Sequence, residues 1–492
     1  MRKTTPTFVA EFPLRTTAAD ERELSIRMDA ARHIHNACLG EALRILQLMR
    51  ESKAWRAARK IKSKKKRSEA FNATAKAFGY TAVAIQKFAE QCRDACWIKQ
   101  HLGSHDTQTT SLRAFRAVQQ YGFGKRGRPR FKGRNRLRSI EGKADVVIRL
   151  REVAGVPMIL WAGLAIPLML DPRDRDGWQA TALQCRTKYT RILRRTISGK
   201  VRWYCQVMKE GQPPKKARHR VGDGVVGLDL GPSTIAIVSD DTAELRTFCA
   251  GVEPPAKEIR RTQRAMDRSR RATNPHAYNQ DGTFIRGARI TVRSARYRKL
   301  AAHKADVERR LAAERKRAQG ELVNQVLAQG RVVKTEKVSY KSFQRNFGRS
   351  VNRRAPGMFV SILRRKAESA GASVVEFSTY HTRLSQYCHV TKQCSKKPLS
   401  QRYHEFPDGR RVQRDLYSAW LARFVQEDRL DASQLQASWA AAEPLLRRAS
   451  SSFNQAASRS SSAVSSGSAY ARPGRVVRPS KRIGSFGEAA DV

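Results

Sequence analysis

Acidic residues are scarce in this sequence of 492 residues. Only 43 Asp and Glu accompany 97 Lys and Arg, which gives a net charge of +54. Self-repulsion of that size opposes a compact fold unless a polyanion neutralises it. Nucleic acid is the polyanion that fits, and a charge this large implies contacts with many phosphates at once.

Cysteines and long apolar runs are also scarce. Eight scattered cysteines are too few for a disulfide scaffold in a chain of this length, so we expect a reducing compartment. No apolar run follows Met1, and no secretory signal is expected. The apolar segment 158–170 has 13 residues and contains Gly163 and Pro167. A membrane span needs about 20 residues, so the segment predicts two buried strands joined by a turn, and no membrane partner is expected.

The basic residues that are present lie in four separate segments. These segments are Arg56–Arg67, Gly124–Arg138, Arg260–Arg271 and Arg296–Arg317. One basic tail would indicate tethering, whereas four separated segments indicate a channel that follows a long duplex.

The pattern of apolar residues divides the chain into regions. Residues 1–17 predict one strand, residues 18–138 a helical region that ends in a Gly/Arg-rich linker, and residues 139–215 several strands, including one over Gln179–Arg195. This order fits a β-barrel with a helical insertion after its first strand. From residue 221 strands alternate with helices, which predicts an α/β domain to about residue 430. The Ser-rich, basic residues 449–492 predict a disordered tail.

Asp229 is the most unusual residue of the α/β region, because it lies in the apolar strand "VVGLDLG". The following "DLGPST" approaches the phosphate-binding turn of actin-type and sugar-kinase ATPases. That interpretation also requires a second phosphate loop and a Gly-rich adenosine pocket, and we find neither in the sequence. The alternative is an RNase H-like nuclease, in which an aspartate on the central strand holds Mg²⁺ and further acids come from distant segments.

Two later acids have suitable positions. Glu336 ends an apolar strand that follows a long helix, and Asp415 opens a helix whose Leu416 and Trp420 are spaced to face a core. Each has an ordinary explanation, as a solvent-facing strand residue or as a charge that complements the helix dipole. Their order after Asp229 favours a shared site.

The residues around these acids resemble a known nuclease family. "GLDLGPSTIAIV", "TEKVSYKS" and "RDLYSAWLA" resemble the three split RuvC motifs of TnpB transposon nucleases and of compact type V CRISPR effectors. "PRFKG", "VRWYCQVMKE" and "TRLSQYC" resemble further elements of that family. The resemblance covers roughly residues 5–430.

The resemblance implies an RNA-guided DNA endonuclease that acts in the prokaryotic cytoplasm at the nucleoid, with guide RNA and target double-stranded DNA as partners. It implies a wedge barrel in residues 1–17 and 139–215, a recognition lobe in 18–138 and a RuvC domain in 221–430. The catalytic acids and Mg²⁺ ligands of a two-metal site would be Asp229, Glu336 and Asp415. Base pairing would read the target, and the protein would read a flanking motif and A-form shape. The candidates for nucleic-acid contact are Lys64, Lys65, Lys66, Arg67, Arg128, Arg130, Phe131 and Lys132. Phe131 could stack on a base or anchor its loop.

The sequence departs from the family between the second and third acids. The family has two Cys-x-x-Cys pairs there, whereas residues 381–412 contain "CHVTKQC" and no second pair. A mixed zinc site from Cys388, Cys394 and His404, with His389 as a further ligand, is chemically possible. The spacing is poor, and we expect that zinc has been lost and that packing holds this insertion as a lid over the active site. "LYSAW" after Asp415 replaces the family's Asn-Ala-Ala.

Two other functions fit parts of the sequence. A guided DNA-binding protein with weak or no cleavage would act as a transcriptional repressor. An unguided transposase or resolvase would explain the charge and the acids, but neither the barrel with its insertion nor "PRFKG".

Overall fold

The structure, a computed structural model, describes residues 5–143, 145–174, 176–214, 220–398 and 400–465. It divides into two compact units. The first consists of the described residues of 1–221, 251–328 and 358–372, and the second of the described residues of 222–250, 329–357 and 373–492. No helix in the described part of the chain is both long enough and apolar enough to cross a membrane.

The elements before residue 221 alternate between a helical block and strands. In chain order they are β1 (Thr7–Pro13), α1 (Ala18–Glu51), α2 (Lys53–Lys60), α3 (Lys64–Ala77), α4 (Ala82–Asp94), a 3-10 helix (Trp97–Gln100), α5 (Ser104–Gly122), β2 (Ser139–Glu141), β3 (Arg149–Val153), β4 (Val156–Trp161), β5 (Leu164–Pro167), α6 (Trp178–Gln184), β6 (Thr187–Ile197) and β7 (Lys200–Glu210).

The remaining elements begin with a hairpin and end with a long helix. They are β8 (Val225–Leu230), β9 (Thr234–Val238), β10 (Ala243–Thr247), α7 (Ala256–Thr273), a 3-10 helix (Pro275–Ala277), α8 (Ala295–Gln329), β11 (Val332–Glu336), α9 (Tyr340–Arg354), α10 (Pro356–Ala370), β12 (Ser373–Phe377), α11 (Thr379–Thr382), β13 (Tyr387–Cys388), β14 (Gln393–Cys394), β15 (Tyr403–Glu405), β16 (Arg411–Gln413), α12 (Arg414–Ala422), β17 (Val425–Gln426), β18 (Arg429–Leu430) and α13 (Leu435–Ser465).

The strands of the first unit form two antiparallel sheets. One has the order β1-β7-β6-β2, and the other has the order β3-β4-β5. A bridge between Leu14 and Leu168 joins them. The apolar segment 158–170 contributes β4 and β5, which pair through a turn as predicted. The region predicted as a barrel therefore consists, in the described residues, of two linked sheets.

One strand prediction in this region is wrong at its beginning. Residues Trp178–Gln184 form α6, and the strand begins only at Thr187. Gly177 before the helix has a left-handed φ of 60°, and the Asp174 carboxylate accepts a hydrogen bond from the Gln179 N–H at 2.5 Å. The carboxylate satisfies a free N–H of the first turn, as an N-terminal cap does, and glycine permits the left-handed turn that leads into the helix.

The predicted domain 221–430 is divided between the two units. Residues 251–328 and 358–372 belong to the first unit. The N–H of Ser198, at the β6–β7 turn, donates to the Asp306 carboxylate of α8 at 2.9 Å. Lys366 of α10 donates to the Gly320 carbonyl of α8 at 2.8 Å. These contacts tie α8 to the sheet of the first unit and α10 to α8.

A five-stranded sheet forms the centre of the second unit, with the order β10-β9-β8-β11-β12. β8, β9 and β10 are antiparallel neighbours, whereas β11 and β12 run parallel to β8. α12 packs across β8 and β9, and α13 packs on β10.

The helix α13 corrects the predicted beginning of the disordered tail at residue 449. Residues 449–465 are helical. Ala449 is buried, and Phe453 packs against the apolar core of the second unit, which gives this stretch a reason to be helical. Residues 466–492 of the predicted tail lie outside the described residues.

Candidate functional site

Asp229 lies on β8, the central strand of the five. Val226, Leu228 and Leu230 around it are at most 3% exposed, so apolar packing fixes the strand. The N–H of Gly231 then donates to the Thr234 carbonyl at 2.9 Å and begins the turn into β9. Asp229 is therefore held at the carboxyl end of a rigid strand.

Glu336 is the last residue of β11, the parallel neighbour of β8. The register pairs Thr335 with Leu228, so the next position brings Glu336 level with Asp229. Both acids lie at the carboxyl ends of parallel strands, the edge at which open α/β sheets bind ligands.

Asp415 reaches the same sheet from α12, where it stands in the first turn. The helix begins at Arg414 because the Gln413 side chain accepts a hydrogen bond from the Leu416 N–H at 2.7 Å. Leu416 and Trp420 are fully buried, which confirms that this helix faces a core.

A glycine permits the close approach of α12 to β8. A Cβ on Gly227 would lie 1.9 Å from the carbonyl oxygen of Ala419, a separation that no side chain can occupy. Ala419 is one turn beyond Asp415, so this contact sets where the helix meets the strand. Gly227 was not among the residues predicted for the site, although a glycine inside an apolar strand often marks such a close approach.

The three carboxylates, here called the acid trio (Asp229, Glu336 and Asp415), interact electrostatically. Burial, and then the charges of Asp415 and Glu336, raise the pKa of Asp229 well above its ordinary value, while Arg414 has the opposite, smaller effect. Burial raises the pKa of Glu336 to about 7. Arg414 Nε lies 3.8 Å from Asp415 Oδ1. The trio therefore holds more negative charge than its surroundings neutralise.

The chemistry of the acid trio fits a divalent cation, because Mg²⁺ takes carboxylate oxygens as ligands and would offset their repulsion. In the described residues, however, no three His, Cys, Asp or Glu side chains stand close enough together to hold a metal ion. The trio is thus a group of neighbouring acids at one sheet edge, and its side chains do not form a coordination sphere.

The basic candidates Lys64, Lys65, Lys66 and Arg67 form the first turn of α3, after the N-cap Ser63. The three lysines are exposed. Cations are unfavourable at a helix N-terminus, and no acidic residue stands in this turn. These positive charges therefore do not stabilise α3, and their exposed positions are suited to contact with an anion outside the protein.

The second basic group, Arg128, Arg130, Phe131 and Lys132, lies in a segment without regular secondary structure after α5. The Asn36 side chain of α1 accepts a hydrogen bond from the Lys132 N–H at 2.8 Å and donates to its carbonyl at 2.9 Å. The ring of Phe131 lies against Gly40 of α1 and is 59% exposed. The segment is anchored to α1, and part of the Phe131 ring remains accessible.

The residues of the possible zinc site are not brought together. The hairpin register pairs Cys388 with Gln393 and Tyr387 with Cys394, so the two cysteine side chains point to opposite faces. Cys388 is buried and Cys394 is exposed. His404 is on another hairpin, where its Nδ1 accepts a hydrogen bond from Lys397.

Side chains of the insertion between the second and third acids pack with aromatic residues of α12 and α13, and this packing was not predicted from the sequence. His389 lies 4.6 Å from Trp439 and 5.1 Å from Trp420 between ring centroids, and His404 stacks on Tyr417 at 4.4 Å. We call this group the histidine cluster; its members are His389, His404, Phe406, Tyr417, Trp420 and Trp439.

Burial lowers the pKa of both histidines in the histidine cluster to about 4. The Tyr417 hydroxyl accepts a hydrogen bond from the His389 backbone N–H at 2.9 Å. Neither histidine Nε2 has a hydrogen-bond partner within the described ranges. The Nδ1 atoms are hydrogen-bonded, that of His389 to the Tyr417 hydroxyl and that of His404 to Lys397, so aromatic packing and these hydrogen bonds together hold the two rings.

The sequence matches no protein-family model and no curated protein. Its fold is similar to that of a solved Cas12f1–sgRNA–target DNA complex, with 11% identity over 84% of this chain and 98% of that chain and a TM-score of 0.43. A CRISPR-Cas12f ternary complex matches with 13% identity over 82% of each chain and a TM-score of 0.26. The mini-RNA-guided endonuclease CRISPR-Cas_phi3 matches with 12% identity over 53% and 56% of the two chains and a TM-score of 0.29. Compact CRISPR effectors are thus among the structural neighbours of this chain.

Proposed function

We propose that this chain is an RNA-guided DNA endonuclease whose acid trio binds Mg²⁺ and supports phosphodiester hydrolysis. The observation that carries the proposal is the meeting of three acids from distant segments at one edge of the second-unit sheet. Asp229 and Glu336 are level on adjacent parallel strands, and Asp415 enters from α12. Both neighbouring acids raise the pKa of Asp229.

A nuclease explains this arrangement better than a nucleotide-binding turn does. Three carboxylates repel a phosphate unless a cation lies between them. Bound Mg²⁺ would supply an activated water molecule and would stabilise the leaving oxygen of the scissile phosphate. The chain's own contribution is to hold the acids on a rigid sheet edge and to keep Arg414 beside Asp415.

The charge of the chain supports nucleic-acid partners. With +54 overall and exposed lysines in the first turn of α3, the protein is suited to many phosphate contacts. We propose guide RNA and target double-stranded DNA as these partners, on the strength of this charge and of the sequence motifs around the acid trio. Such a complex would act at the nucleoid.

The test is to co-express the protein with its flanking genomic DNA, sequence the bound RNA, and challenge the complex with a plasmid library in Mg²⁺. The library carries the sequence that matches the guide beside randomised flanks. We expect one discrete RNA and selective depletion of one flanking sequence. If no discrete RNA copurifies, the proposal of guidance is wrong.

A guided DNA-binding protein with weak cleavage is the second candidate function. One observation favours it: the described side chains of the acid trio do not stand close enough together to hold a metal ion. In the same library experiment this function would retain one flank on the bound complex and would deplete none.

A further inference from the structure

The helical part of the first unit contains a half-open cavity of about 860 Å³ among α1, α2, α3 and the end of α5. Its volume lies within the range of roughly 300–1,000 Å³ that is usual for ligand sites. Four aromatic residues line it: Trp55, Phe71, Tyr80 and Phe123. The rings of Trp55 and Phe71 lie 4.5 Å apart, and Phe123 is 67% exposed. The cavity therefore offers aromatic faces and an accessible rim.

Cations complete the lining. Arg50, Arg59 and Lys76 border the cavity, and none of its lining residues is Asp or Glu. Arg50 lies over the Tyr121 ring at 5.0 Å. Arg59 and Lys76 are exposed and form no ion pair within the described part of the chain. Their charges are available to an anion outside the protein.

A buried hydroxyl also lacks a partner at this cavity. Tyr80 is 9% exposed, and its Oη has no hydrogen bond to any described residue. A buried hydroxyl without a partner carries a desolvation penalty. A polar ligand that reaches this group would remove that penalty.

We propose that this cavity binds one unpaired nucleotide, with its base against the Trp55–Phe71 wall and its phosphate at Arg59 and Lys76. Every base has a π face that stacks on aromatic side chains, and guanidinium groups bind phosphate through paired N–H donors. A purely apolar ligand would leave the three cations unused, and an acidic peptide would leave the aromatic wall unused. The strong positive charge of the chain also favours a nucleotide.

The proposal goes beyond the cleavage function. The cavity lies in the first unit and contains no member of the acid trio, so binding can be measured without Mg²⁺ and without cleavage. The nucleotide can come from a free mononucleotide or from an unpaired position of a strand, and the experiment separates these sources.

The experiment is photocrosslinking of the full-length protein in EDTA with two probes. One is octauridylate with a central 4-thiouridine, and the other is 4-thiouridine monophosphate. Crosslinked peptides are mapped by mass spectrometry. We expect crosslinks to the peptides that contain Trp55 and Phe71, and we expect unlabelled octauridylate to compete. Crosslinking of the octamer alone identifies a strand nucleotide, and equally efficient crosslinking of the monophosphate identifies a free nucleotide.

Two variants and a matched control test the assignment. Arg59→Gln removes a lining cation, and Phe71→Leu removes an aromatic face but keeps an apolar side chain. Arg56→Gln makes the same charge change one turn away on α2, at an exposed residue that does not line the cavity. We expect Arg59→Gln and Phe71→Leu each to weaken octauridylate binding at this site about tenfold, and Arg56→Gln to weaken it less than twofold. Melting curves identify any variant that has lost its fold.

Three results would overturn the proposal. The first is crosslinks that fall outside the cavity and respond equally to Arg59→Gln and Arg56→Gln. The second is competition by octaglutamate as strong as that by octauridylate, which would show recognition of negative charge alone. The third is that light scattering shows a wild-type dimer, that Arg59→Gln and Phe71→Leu convert it to monomers, and that no probe crosslinks to the cavity. The cavity would then be an interface between two copies.

Discussion

The acid trio and the histidine cluster both consist of titratable and neighbouring side chains in the second unit. They differ in the direction in which burial shifts the pKa values and in what surrounds the titratable groups. In the acid trio, burial and neighbouring charge raise the pKa of Asp229, and burial raises that of Glu336 to about 7. In the histidine cluster, burial lowers the pKa of His389 and His404 to about 4, and aromatic rings surround the neutral imidazoles. In the first group neighbouring carboxylates repel one another, whereas in the second aromatic rings and hydrogen bonds at Nδ1 surround each imidazole.

The two groups therefore have opposite pH dependence. Glu336 has a folded pKa above its ordinary value of 4.5, so the native state retains a proton that the unfolded chain loses, and stability falls as pH rises from about 4.5 to 7. The histidines have folded pKa values below their ordinary 6.5, so the unfolded chain takes up protons first, and stability falls as pH decreases from 6.5 to about 4.

The largest expected effect is that of Asp229→Ala on cleavage. Removal of a proposed metal ligand should reduce guided DNA cleavage to background and leave guided DNA binding nearly unchanged, because the metal serves chemistry. Gel-based cleavage and filter binding on the same preparation measure both. The matched control is Asp223→Ala, because the Asp223 side chain lies just before β8 and is 94% exposed. This variant should cleave guided DNA at the wild-type rate. If the Asp229→Ala variant still cleaves DNA, Asp229 does not belong to the catalytic site.

Trp439→Ala measures how much aromatic packing contributes to the stability of the histidine cluster. Trp439 is 5% exposed and contacts His389, Phe406 and Trp420, so its truncation should destabilise the second unit by about 3–5 kcal/mol. Thermal melting measures the loss, with Gln436→Ala on the exposed face of α13 as the control. With Mg²⁺ kept in excess, prolonged treatment with a zinc-selective chelator should leave the melting temperature of the native protein unchanged. A drop on chelation as large as that of Trp439→Ala, or one zinc per chain in metal analysis, would show that a metal holds this region.

Gly227→Ala tests the helix that carries Asp415 to the sheet. A Cβ at this position would lie 1.9 Å from the Ala419 carbonyl, so α12 must shift, and overpacking of this kind destabilises by about 1–3 kcal/mol. We expect a lower melting temperature together with impaired cleavage. Gly348→Ala on α9 is the control because a Cβ there meets nothing within 4 Å. Equal melting of the two variants would show that the contact between α12 and β8 is not tight.

The sequence predicted the parts of the molecule that periodicity and order determine. The apolar strands around Asp229 and Glu336 and the amphipathic α12 were all foreseeable, because alternating or helical burial shows in the residue pattern. α6 was not predicted, because its beginning depends on a left-handed Gly177 and on the Asp174 side chain.

The site was predictable in its residue types but not in its arrangement. The level register of Asp229 and Glu336 depends on strand pairing, and the approach at Gly227 depends on tertiary packing of α12. The irregular spacing of Cys388 and Cys394 indicated a departure from a zinc finger. The histidine cluster could not be inferred from that segment, because Trp439 comes from α13, outside the insertion.

The most direct test of the acid trio as a cation site is thermal unfolding of the wild type and of Glu336→Gln at pH 8, in EDTA and in Mg²⁺. In EDTA we expect the variant to melt several degrees higher than the wild type, because it lacks a buried negative charge, and we expect this gap to vanish at pH 4. In Mg²⁺ only the wild type should gain stability, so the gap should close or reverse. If Mg²⁺ stabilises both proteins equally and Glu336→Gln melts no higher in EDTA, the acid trio is not a strained, charge-deficient metal site.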